Sequence, residues 1–405
     1  MSLHATKSSA QTTFADPPNK PLPPAIVPPA TLGMIGGGQL GRMFALAARQ
    51  LAYRVIVLEP QAHSPAAQVA DQHIQAAYND PKALQQLANQ CAVITTEFEN
   101  IPAEVLENLA AQCPVYPSAD ALRITQDRMQ EKAFIKRCGL LPVPYVDIHQ
   151  SSDLEQANKT LQFPAILKTA RFGYDGKGQV TVHSIAEAQT AFAETMQHVP
   201  CVLEQRVALA KEVSVIVARS VSGDCRCFPV SENHHKNGIL HQSIVPARIN
   251  DAITDAVQAA AERLASYLDF VGVMAVEFFL TENGELFVNE IAPRTHNSGH
   301  YTQDACVTSQ FEQQLRMICH LPFGDNRLLS PVVMTNILGD SWKNQTNQPP
   351  NWQQLLSQPQ VKLHLYGKQE ARAGRKMGHF NLLAVDNSTN LADTITAADQ
   401  LLQGL

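Results

Sequence analysis

Short apolar runs alternate with helical patterns over the first third of the chain. The runs TLGMI, YRVIVL and CAVITT have the length and composition of strands, and QLGRMFALAARQLA carries apolar residues at helical spacing. Strands that alternate with helices are typical of a parallel sheet covered by helices. The pattern therefore predicts an α/β, Rossmann-like domain over residues 31–125.

From residue 126 onward, strand-like runs follow one another more closely. A charged helix is predicted in QDRMQEKAFIKRCG, and an Ala-rich helix is predicted over 251–268. The strand-like runs are FPAILKTA, QVTVHS, CVLEQRV, KEVSVIVARS, CRCFPVSE, VGVMAVEFFLT and ELFVNEIAP. Closely spaced strands favour hairpins and a largely antiparallel sheet. We therefore predict an α+β domain over residues 126–325 and a small C-terminal domain over 326–405.

Composition changes this picture at the N-terminus. Residues 1–30 carry seven prolines among small and polar residues, with no hydrophobic period. Such a segment cannot bury enough apolar surface to fold, so a disordered Pro-rich arm is predicted.

Charge and hydropathy exclude several classes of protein. The chain has 45% hydrophobic residues, 17% charged residues and a net charge of −6, which are ordinary for a globular protein and argue against a broad nucleic-acid-binding surface. No apolar run approaches the ~20 residues of a membrane span. The N-terminus also lacks the basic start and apolar core of a secretory signal, so a cytoplasmic location is expected.

The first glycine cluster resembles a dinucleotide-binding turn. Gly36, Gly38 and Gly41 follow the first strand and open a helix, and Glu59 ends the next strand. Three interpretations stay open from these residues alone: an NAD site, a tight turn without a ligand, and a helix N-terminus that binds another phosphate. An NAD-dependent oxidoreductase would also need a hydride-transfer site, and none is recognisable downstream.

A second glycine cluster has different chemistry. Lys168 ends the apolar run FPAILK, and RFGYDGKGQ follows at 171–179. Three glycines interleaved with an arginine and a lysine suit a mobile loop whose N–H groups and cations surround a polyphosphate. Further on, Glu204 and Glu212 flank a segment whose backbone could bind an adenine edge. Two surface glutamates beside a hairpin are an equal alternative.

The most specific pattern is a pair of carboxylates. Asn283-Gly284 is a strong hairpin signal between two strand-like runs. If those residues form the turn centre, Glu277 and Glu290 are equidistant from it and face each other with Cβ atoms ~5 Å apart. Facing carboxylates need a positive partner, and oxygen ligands suit Mg²⁺. A shared proton or a different register are the alternatives.

Anion-binding side chains follow the second carboxylate. The segment APRTHNSGH at 292–300 places Arg294 and His296 just beyond Glu290. A later segment, GKQEARAGRKMGH at 367–379, is either a basic surface turn or a second clamp for an anionic substrate. Its basic residues are Lys368, Arg372, Arg375, Lys376 and His379.

Taken together, these motifs resemble the ATP-grasp family, and within it the purine-pathway ligases that carboxylate 5-aminoimidazole ribonucleotide. The resemblance runs from Thr31 nearly to the C-terminus and is carried by GGGQLGRM, GYDGKGQ, NEIAPRTHNSGH and GRKMGH in that order. It implies an ATP-grasp fold and conversion of ATP, bicarbonate and 5-aminoimidazole ribonucleotide into the N5-carboxylated nucleotide, ADP and phosphate. It also implies Mg²⁺, no NAD, no biotin and a homodimer. Another ATP-grasp ligase, such as formate-dependent glycinamide ribonucleotide transformylase, is the alternative.

The resemblance also assigns roles residue by residue. It implies metal ligands at Glu277 and Glu290 and catalytic roles for Asp175, Arg294 and His296. The implied ATP contacts are Arg128, Lys168, Gly173, Tyr174, Asp175, Gly176, Lys177, Gly178, Gln179, Glu204, Gln205, Arg206, Val207, Glu212, His235, Asn289 and Glu290. The implied substrate contacts are Gly38, Gln39, Leu40, Tyr174, Asp175, Arg294, His296, Lys368 and Arg375. One departure is Ala292, where biotin-carboxylase relatives carry Asn, so the number of protein ligands on the metal is open.

Overall fold

The computed structural model describes residues 21–157, 159–173, 177–197, 199–342, 348–384 and 390–405. Its strands are β1 (Thr31–Ile35), β2 (Arg54–Leu58), β3 (Gln72–Ile74), β4 (Val93–Thr96), β5 (Val115–Tyr116), β6 (Tyr145–Ile148), β7 (Ala165–Thr169), β8 (Gln179–Val182), β9 (Cys201–Gln205), β10 (Leu209–Arg219), β11 (Cys225–Cys227), β12 (Ser231–Lys236), β13 (Ile239–Val245), β14 (Gly272–Thr281), β15 (Leu286–Ala292), β16 (Val332–Leu338), β17 (Val361–Leu365) and β18 (Lys376–Leu383). Its α-helices are α1 (Gln39–Gln50), α2 (Pro81–Gln90), α3 (Ala103–Ala110), α4 (Ala119–Thr125), α5 (Arg128–Arg137), α6 (Ser151–Ala157), α7 (Ile185–Thr190), α8 (Asp251–Tyr267), α9 (Thr302–Ala305), α10 (Gln310–Ile318), α11 (Trp352–Leu356) and α12 (Leu391–Gln403).

The N-terminal domain contains a five-stranded sheet in the order β3-β2-β1-β4-β5. Every neighbouring pair in it is parallel, as the alternation of strands and helices predicts. Because β1 and β4 are adjacent, the glycine cluster after β1 and the residues after β4 lie at the same edge of the sheet. In open parallel sheets, that carboxyl edge is where ligands bind.

Part of the predicted arm is packed on the fold. The Tyr53 hydroxyl donates to the Ile26 carbonyl (2.7 Å), and the Ile26 N–H donates to the Cys319 carbonyl (2.9 Å) at the end of α10. The Ile26 side chain contacts the apolar cluster between α1 and α10. The prediction of disorder is therefore wrong for residues 21–30, because one apolar anchor and its backbone bonds offset the Pro-rich composition. Residues 1–20 lie outside the described chain.

The second sheet is large and antiparallel. Its main path is β15-β14-β10-β12-β13-β16-β18-β17, and β11 pairs with β10. Alternate residues of β10 face opposite sides: Val213 and Val215 pack with α8, whereas Ile216 and Ala218 pack with the cluster that contains Met317 of α10. Both faces are covered between Val213 and Ala218, which explains why Ser214 is the one polar residue in that part of the strand.

The C-terminal segment extends the same sheet. Strand β16 pairs with β13, and β18 pairs with β16 and β17. Helix α12 covers these strands, with Ala398 packed against Phe380 and Leu382. The small C-terminal domain expected over 326–405 therefore shares its sheet with the preceding domain.

A separate four-stranded antiparallel sheet, in the order β6-β9-β7-β8, carries Lys168 and Glu204. It joins the parallel and large sheets to give the predicted α/β and α+β fold class. Within the described ranges, none of the helices combines the length and apolarity that crossing a membrane requires.

Candidate active site

Glu277 and Glu290 are direct cross-strand partners on β14 and β15, which confirms the predicted pairing. The predicted two-residue turn is nevertheless wrong. Thr281 bonds to Glu285 across a three-residue loop, and Gly284 takes the left-handed position at φ +85°. That loop shifts the register by one residue near the turn, and a bulge between Glu277 and Phe278 restores it.

Neighbouring side chains neutralise the negative charge of the paired carboxylates only weakly. Burial, and then the charge of Glu290, raises the pKa of Glu277 to about 7. Arg128 Nη1 lies 3.4 Å from Glu290 Oε2, and His296 Nε2 lies 3.6 Å from Glu277 Oε1. Both separations exceed the ~2.8 Å of a strong charge-assisted hydrogen bond. The pair therefore favours an additional cation.

The donor set fits Mg²⁺ that arrives with a ligand. Carboxylate oxygens are hard ligands, and Mg²⁺ in proteins is commonly held by one or two carboxylates together with phosphates and water. Among the described residues, no group of three or more His, Cys, Asp or Glu side chains is arranged to hold a metal. Glu277 and Glu290 would thus supply two ligands, and a polyphosphate would complete the shell.

The raised pKa of Glu277 predicts a pH-dependent effect on stability. Between its ordinary value of 4.5 and about 7, the folded protein keeps a proton that the unfolded chain has lost. The free energy of unfolding therefore falls as pH rises through this window. In EDTA, we expect Glu277→Gln to change stability little at pH 5 and to stabilise the protein by about 1–3 kcal/mol at pH 8.

Thermal unfolding of both proteins across this pH range measures the effect. Glu282→Gln, in the exposed loop of the same hairpin, is the matched control and should follow the parent protein at every pH. A Glu277→Gln variant that is no more stable than its parent at pH 8 would contradict the assigned electrostatics.

A chain of hydroxyl groups orients His296. The Ser214 hydroxyl donates to the Ser298 hydroxyl (2.7 Å), and Ser298 Oγ lies 2.9 Å from His296 Nδ1. The Ser298 N–H also points at Nδ1, at 3.3 Å. With Nδ1 as acceptor, the ring proton is on Nε2, which faces Glu277. Burial, with Arg294 adding, holds the pKa of His296 well below its ordinary value, so the ring is neutral.

Arg294 joins the two domains. Its Nε pairs with the Glu99 carboxylate, which follows β4 in the N-terminal domain. Gln310 of α10 holds the adjacent turn, because its Oε1 accepts from the His296 N–H (2.9 Å) and its Nε2 donates to the His296 carbonyl (2.8 Å). The turn that carries Arg294 and His296 is thus fixed before any ligand binds.

Lys168 lies on β7 next to a buried carboxylate. Its Nζ is 2.5 Å from Glu204 Oε2, and Lys132 Nζ of α5 is 2.9 Å from Oε1. Burial alone would raise the pKa of Glu204, but the charges of Lys168 and Lys132 outweigh it and lower that pKa to about 2. Glu204 is 2% exposed, so the alternative of two surface glutamates is wrong.

Glu212 and His235 form another pair nearby. Glu212 Oε2 lies 2.5 Å from His235 Nδ1, and this contact raises the pKa of His235 against the opposing effect of burial. At the end of β9, Gln205 is partly buried, and so is Val207 just beyond the strand. Arg206 between them is exposed, and its N–H donates to the Pro164 carbonyl (3.0 Å).

The loop after β7 is described at its two ends. Gly178 has φ +72°, and a Cβ there would lie 2.7 Å from Thr169 Oγ1, so the turn requires glycine. Gly173 approaches the Lys177 carbonyl, and Gln179 pairs with Lys168 across β7 and β8. The predicted contacts Tyr174, Asp175 and Gly176 lie outside the residues that the structure describes.

Carboxylates hold the first glycine cluster. The N–H groups of Gly38 and Gly41, at the start of α1, both donate to Glu97. The Gly37 N–H donates to Glu59 Oε2 (2.8 Å), an oxygen that also accepts from the Tyr78 hydroxyl (2.6 Å). Glu59, which would bind ribose in a dinucleotide site, instead holds the turn. The predicted phosphate contacts Gly38, Gln39 and Leu40 share their helix N-terminus with Glu97.

The basic C-terminal segment divides into two parts. Lys368 Nζ donates to the Lys376 carbonyl (2.7 Å), and Arg375 Nη1 donates to the Glu370 carbonyl (2.9 Å), which orders the turn before β18. His379 does not belong to an anion clamp. It is fully buried, its Nδ1 lies 2.9 Å from the Tyr366 hydroxyl, and burial holds its pKa well below the ordinary value.

Sequence reasoning missed four charged residues of the site. Glu97 and Glu99 follow β4, and their signal was the segment TTEFEN at the carboxyl end of a strand next to β1. Glu131 and Lys132 lie one turn after Arg128 on α5, so helical spacing places all three on one face. The Glu131 carboxylate accepts from the Ile291 N–H (2.6 Å), beside Glu290.

Three family models match consecutive parts of the chain. They describe a ribonucleotide synthetase preATP-grasp domain over residues 30–126, an ATP-grasp domain over 133–311 and a phosphoribosylaminoimidazole carboxylase C-terminal domain over 332–393. The glycine cluster thus lies in the first region, and the paired carboxylates lie in the second.

Curated relatives and solved structures agree with these models. N5-carboxyaminoimidazole ribonucleotide synthase of Bacillus subtilis is 47% identical over 358 residues, which are 88% of this chain and 92% of the relative. A crystal structure of an N5-carboxyaminoimidazole ribonucleotide synthetase with ADP matches at a TM-score of 0.87 and 47% identity, covering 93% of this chain and 97% of that one. The Aspergillus clavatus enzyme with ADP and 5-aminoimidazole ribonucleotide matches at a TM-score of 0.80 and 31% identity, covering 92% and 96%. The chain belongs to the N5-carboxyaminoimidazole ribonucleotide synthase family of ATP-grasp ligases.

Proposed function

We propose that the protein uses ATP and bicarbonate to carboxylate the exocyclic amine of 5-aminoimidazole ribonucleotide, giving N5-carboxyaminoimidazole ribonucleotide, ADP and phosphate. The observation that carries this proposal is the cross-strand pair Glu277–Glu290 beside the fixed turn with Arg294 and His296. The Aspergillus relative, crystallised with ADP and this nucleotide, supports it. From the resemblance we also infer a homodimer that acts in the cytoplasm.

For ATP, we infer a site between the four-stranded sheet and the β14–β15 hairpin. Lys168 and Arg128 supply positive charge for phosphates, with the loop at 173–179 closing over them. The backbone of 204–207 would bind adenine, and Glu212, held by His235, would accept from ribose hydroxyls. Mg²⁺ held by Glu277 and Glu290, with Asn289 beside them, would neutralise charge on the transferring phosphoryl group.

For the nucleotide substrate, we infer a site at the carboxyl edge of the parallel sheet. The start of α1, at Gly38, Gln39 and Leu40, would face its phosphate together with Lys368 and Arg375. Because Glu97 bonds to two amides there, a phosphate would have to displace that carboxylate or bind the remaining N–H groups. Tyr174, Asp175, Arg294 and His296 would surround the aminoimidazole.

The proposed chemistry has three steps. A bicarbonate oxygen attacks the γ-phosphorus, the bond to ADP breaks, and carboxyphosphate forms. Carboxyphosphate then releases phosphate and CO₂, and the amine nitrogen attacks CO₂ and loses a proton. His296 carries its own proton on the nitrogen that faces Glu277. This favours hydrogen-bond donation by His296 and leaves Asp175 as the proposed base for the amine proton.

Phosphate release from ATP tests this function. In bicarbonate buffer with Mg²⁺, 5-aminoimidazole ribonucleotide should stimulate release several-fold or more over the rate without it. Glycinamide ribonucleotide with formate, the substrates of the alternative ligase, should not stimulate it. If neither nucleotide increases phosphate release, the proposed acceptor is wrong.

A further inference from the structure

Lys132 is a buried cation beside Glu204 to which the proposed function assigns no role. Its side chain is fully buried, so its ammonium group cannot contact ATP in the site inferred above between the four-stranded sheet and the β14–β15 hairpin, which we call the cleft. Its Nζ lies 2.9 Å from Glu204 Oε1 and 5.5 Å from the centre of the Tyr145 ring. A buried lysine is costly unless it is paired, so its presence needs a reason.

Glu204 links Lys132 to Lys168. One carboxylate oxygen holds each ammonium group, at 2.9 Å for Lys132 and 2.5 Å for Lys168. The three charges leave a net charge of +1 in a buried place. Side-chain exposure is 0% for Lys132, 3% for Glu204 and 10% for Lys168, so the excess charge is presented to the cleft only through Lys168.

A pair without Lys132 would behave differently. Without Lys132, Glu204 and Lys168 would form a neutral pair, and both carboxylate oxygens could accept hydrogen bonds from Lys168. With Lys132 on Oε1, Glu204 satisfies one N–H of Lys168 and leaves the others for an anion. The additional cation therefore increases the attraction of this place for phosphate.

We propose that Lys132 is a positioning residue for ATP. It acts through Glu204, so that Lys168 is directed into the cleft and the cluster of Lys132, Glu204 and Lys168 keeps a net positive charge. The proposal rests on the ATP site inferred above and adds a residue that never touches the nucleotide. The proposed role of Lys132 is electrostatic, so it differs from a role in packing alone.

The charges around Lys168 predict a change in its titration. Burial lowers the pKa of Lys168, Glu204 of β9 opposes that shift, and Arg128 and Lys132 of α5 add to it. Removing the charge of Lys132 should therefore raise this pKa. The basic limb of the pH profile of kcat/KM for ATP should move to higher pH.

The test compares three substitutions on α5. Lys132→Gln removes the charge but keeps a polar side chain beside Glu204, and Lys132→Arg keeps the charge. Lys136→Met, one turn further along the same helix on its exposed face, is the control. We expect Lys132→Gln to raise KM for ATP about tenfold or more, with a smaller change in kcat and the basic limb at higher pH. Lys132→Arg should restore most of the parent's KM, and Lys136→Met should match the parent.

Equal KM values and equal pH profiles for Lys132→Gln and Lys136→Met would overturn the proposal. A loss of activity in Lys132→Gln that appears in kcat alone, or that Lys132→Arg fails to restore, would also overturn the proposal, because a packing defect would explain that loss. If Lys132→Gln does not fold, Glu204→Gln gives the opposite test, since losing that carboxylate should move the basic limb to lower pH. Absence of ATP turnover in the parent protein would instead count against the proposed function.

Discussion

Replacing Glu290 with glutamine is expected to reduce kcat/KM for Mg-ATP by about 10³-fold or more, because a metal ion contributes several kcal/mol to phosphoryl transfer. The substitution keeps the size of the side chain and removes the charge that faces Glu277. Steady-state phosphate release, measured over a range of Mg²⁺ concentrations, should show a weaker response to the metal. Thermal unfolding should show a folded variant, since Glu290 is half-exposed.

Glu282→Gln provides the matched comparison. It makes the same chemical change on the same hairpin, in the exposed loop between β14 and β15, and should leave both activity and Mg²⁺ response unchanged. If Glu290→Gln retained the ATP turnover of the parent, the cross-strand pair would not be the metal site.

The second large effect is expected at Arg294. Arg294→Met should lower kcat by about 10²- to 10³-fold, the size of effect seen when one group that stabilises a developing charge is removed. It should also destabilise the protein, because Glu99 would lose the guanidinium that lowers its pKa against the effect of burial. Arg294→Lys should recover part of the activity, since lysine keeps the charge without the planar fork.

A double variant separates catalysis from folding. Glu99→Gln combined with Arg294→Met removes both charges of the pair, so thermal stability should return towards that of the parent. Activity should stay low if Arg294 acts on the reacting groups. Recovery of activity in the double variant would show that Arg294 serves only to neutralise Glu99.

The fold class was predictable because it depends on local patterns. Alternating strands and helices before residue 126, followed by closely spaced strands, indicated the parallel and antiparallel sheets that the structure contains. The pattern could not show that β16–β18 extend the large sheet, because strand pairing between distant segments leaves no local signal. The packing of 21–30 was missed for the same reason, since it depends on one contact of Ile26 with the end of α10.

The Glu277–Glu290 pairing shows how a correct prediction can rest on an incomplete reason. Equal spacing from Asn283-Gly284 gave the right partners, although the actual loop is one residue longer than assumed. The bulge beside Glu277 compensates for that residue. Neither the loop length nor the bulge was visible in the sequence, because both are set by backbone geometry.

Charged partners were the least predictable part of the site. Arg294 and Glu99 are 195 residues apart, and Lys132 contacts Glu204 from another element. The roles assigned by family resemblance named the side chains that would face ligands, such as Lys168. The resemblance did not identify the buried residues that contact those side chains. These partners set the charge and orientation of the side chains that would face ligands.

The central claim is that bicarbonate supplies the carbon that is transferred to the amine. The most direct test incubates the protein with ¹³C-bicarbonate, Mg-ATP and 5-aminoimidazole ribonucleotide and follows the label by ¹³C NMR. We predict a new carbamate resonance on the nucleotide, growing in proportion to the phosphate released and absent without ATP. Phosphate release that depends on the nucleotide but yields no ¹³C-labelled carbamate would contradict the account.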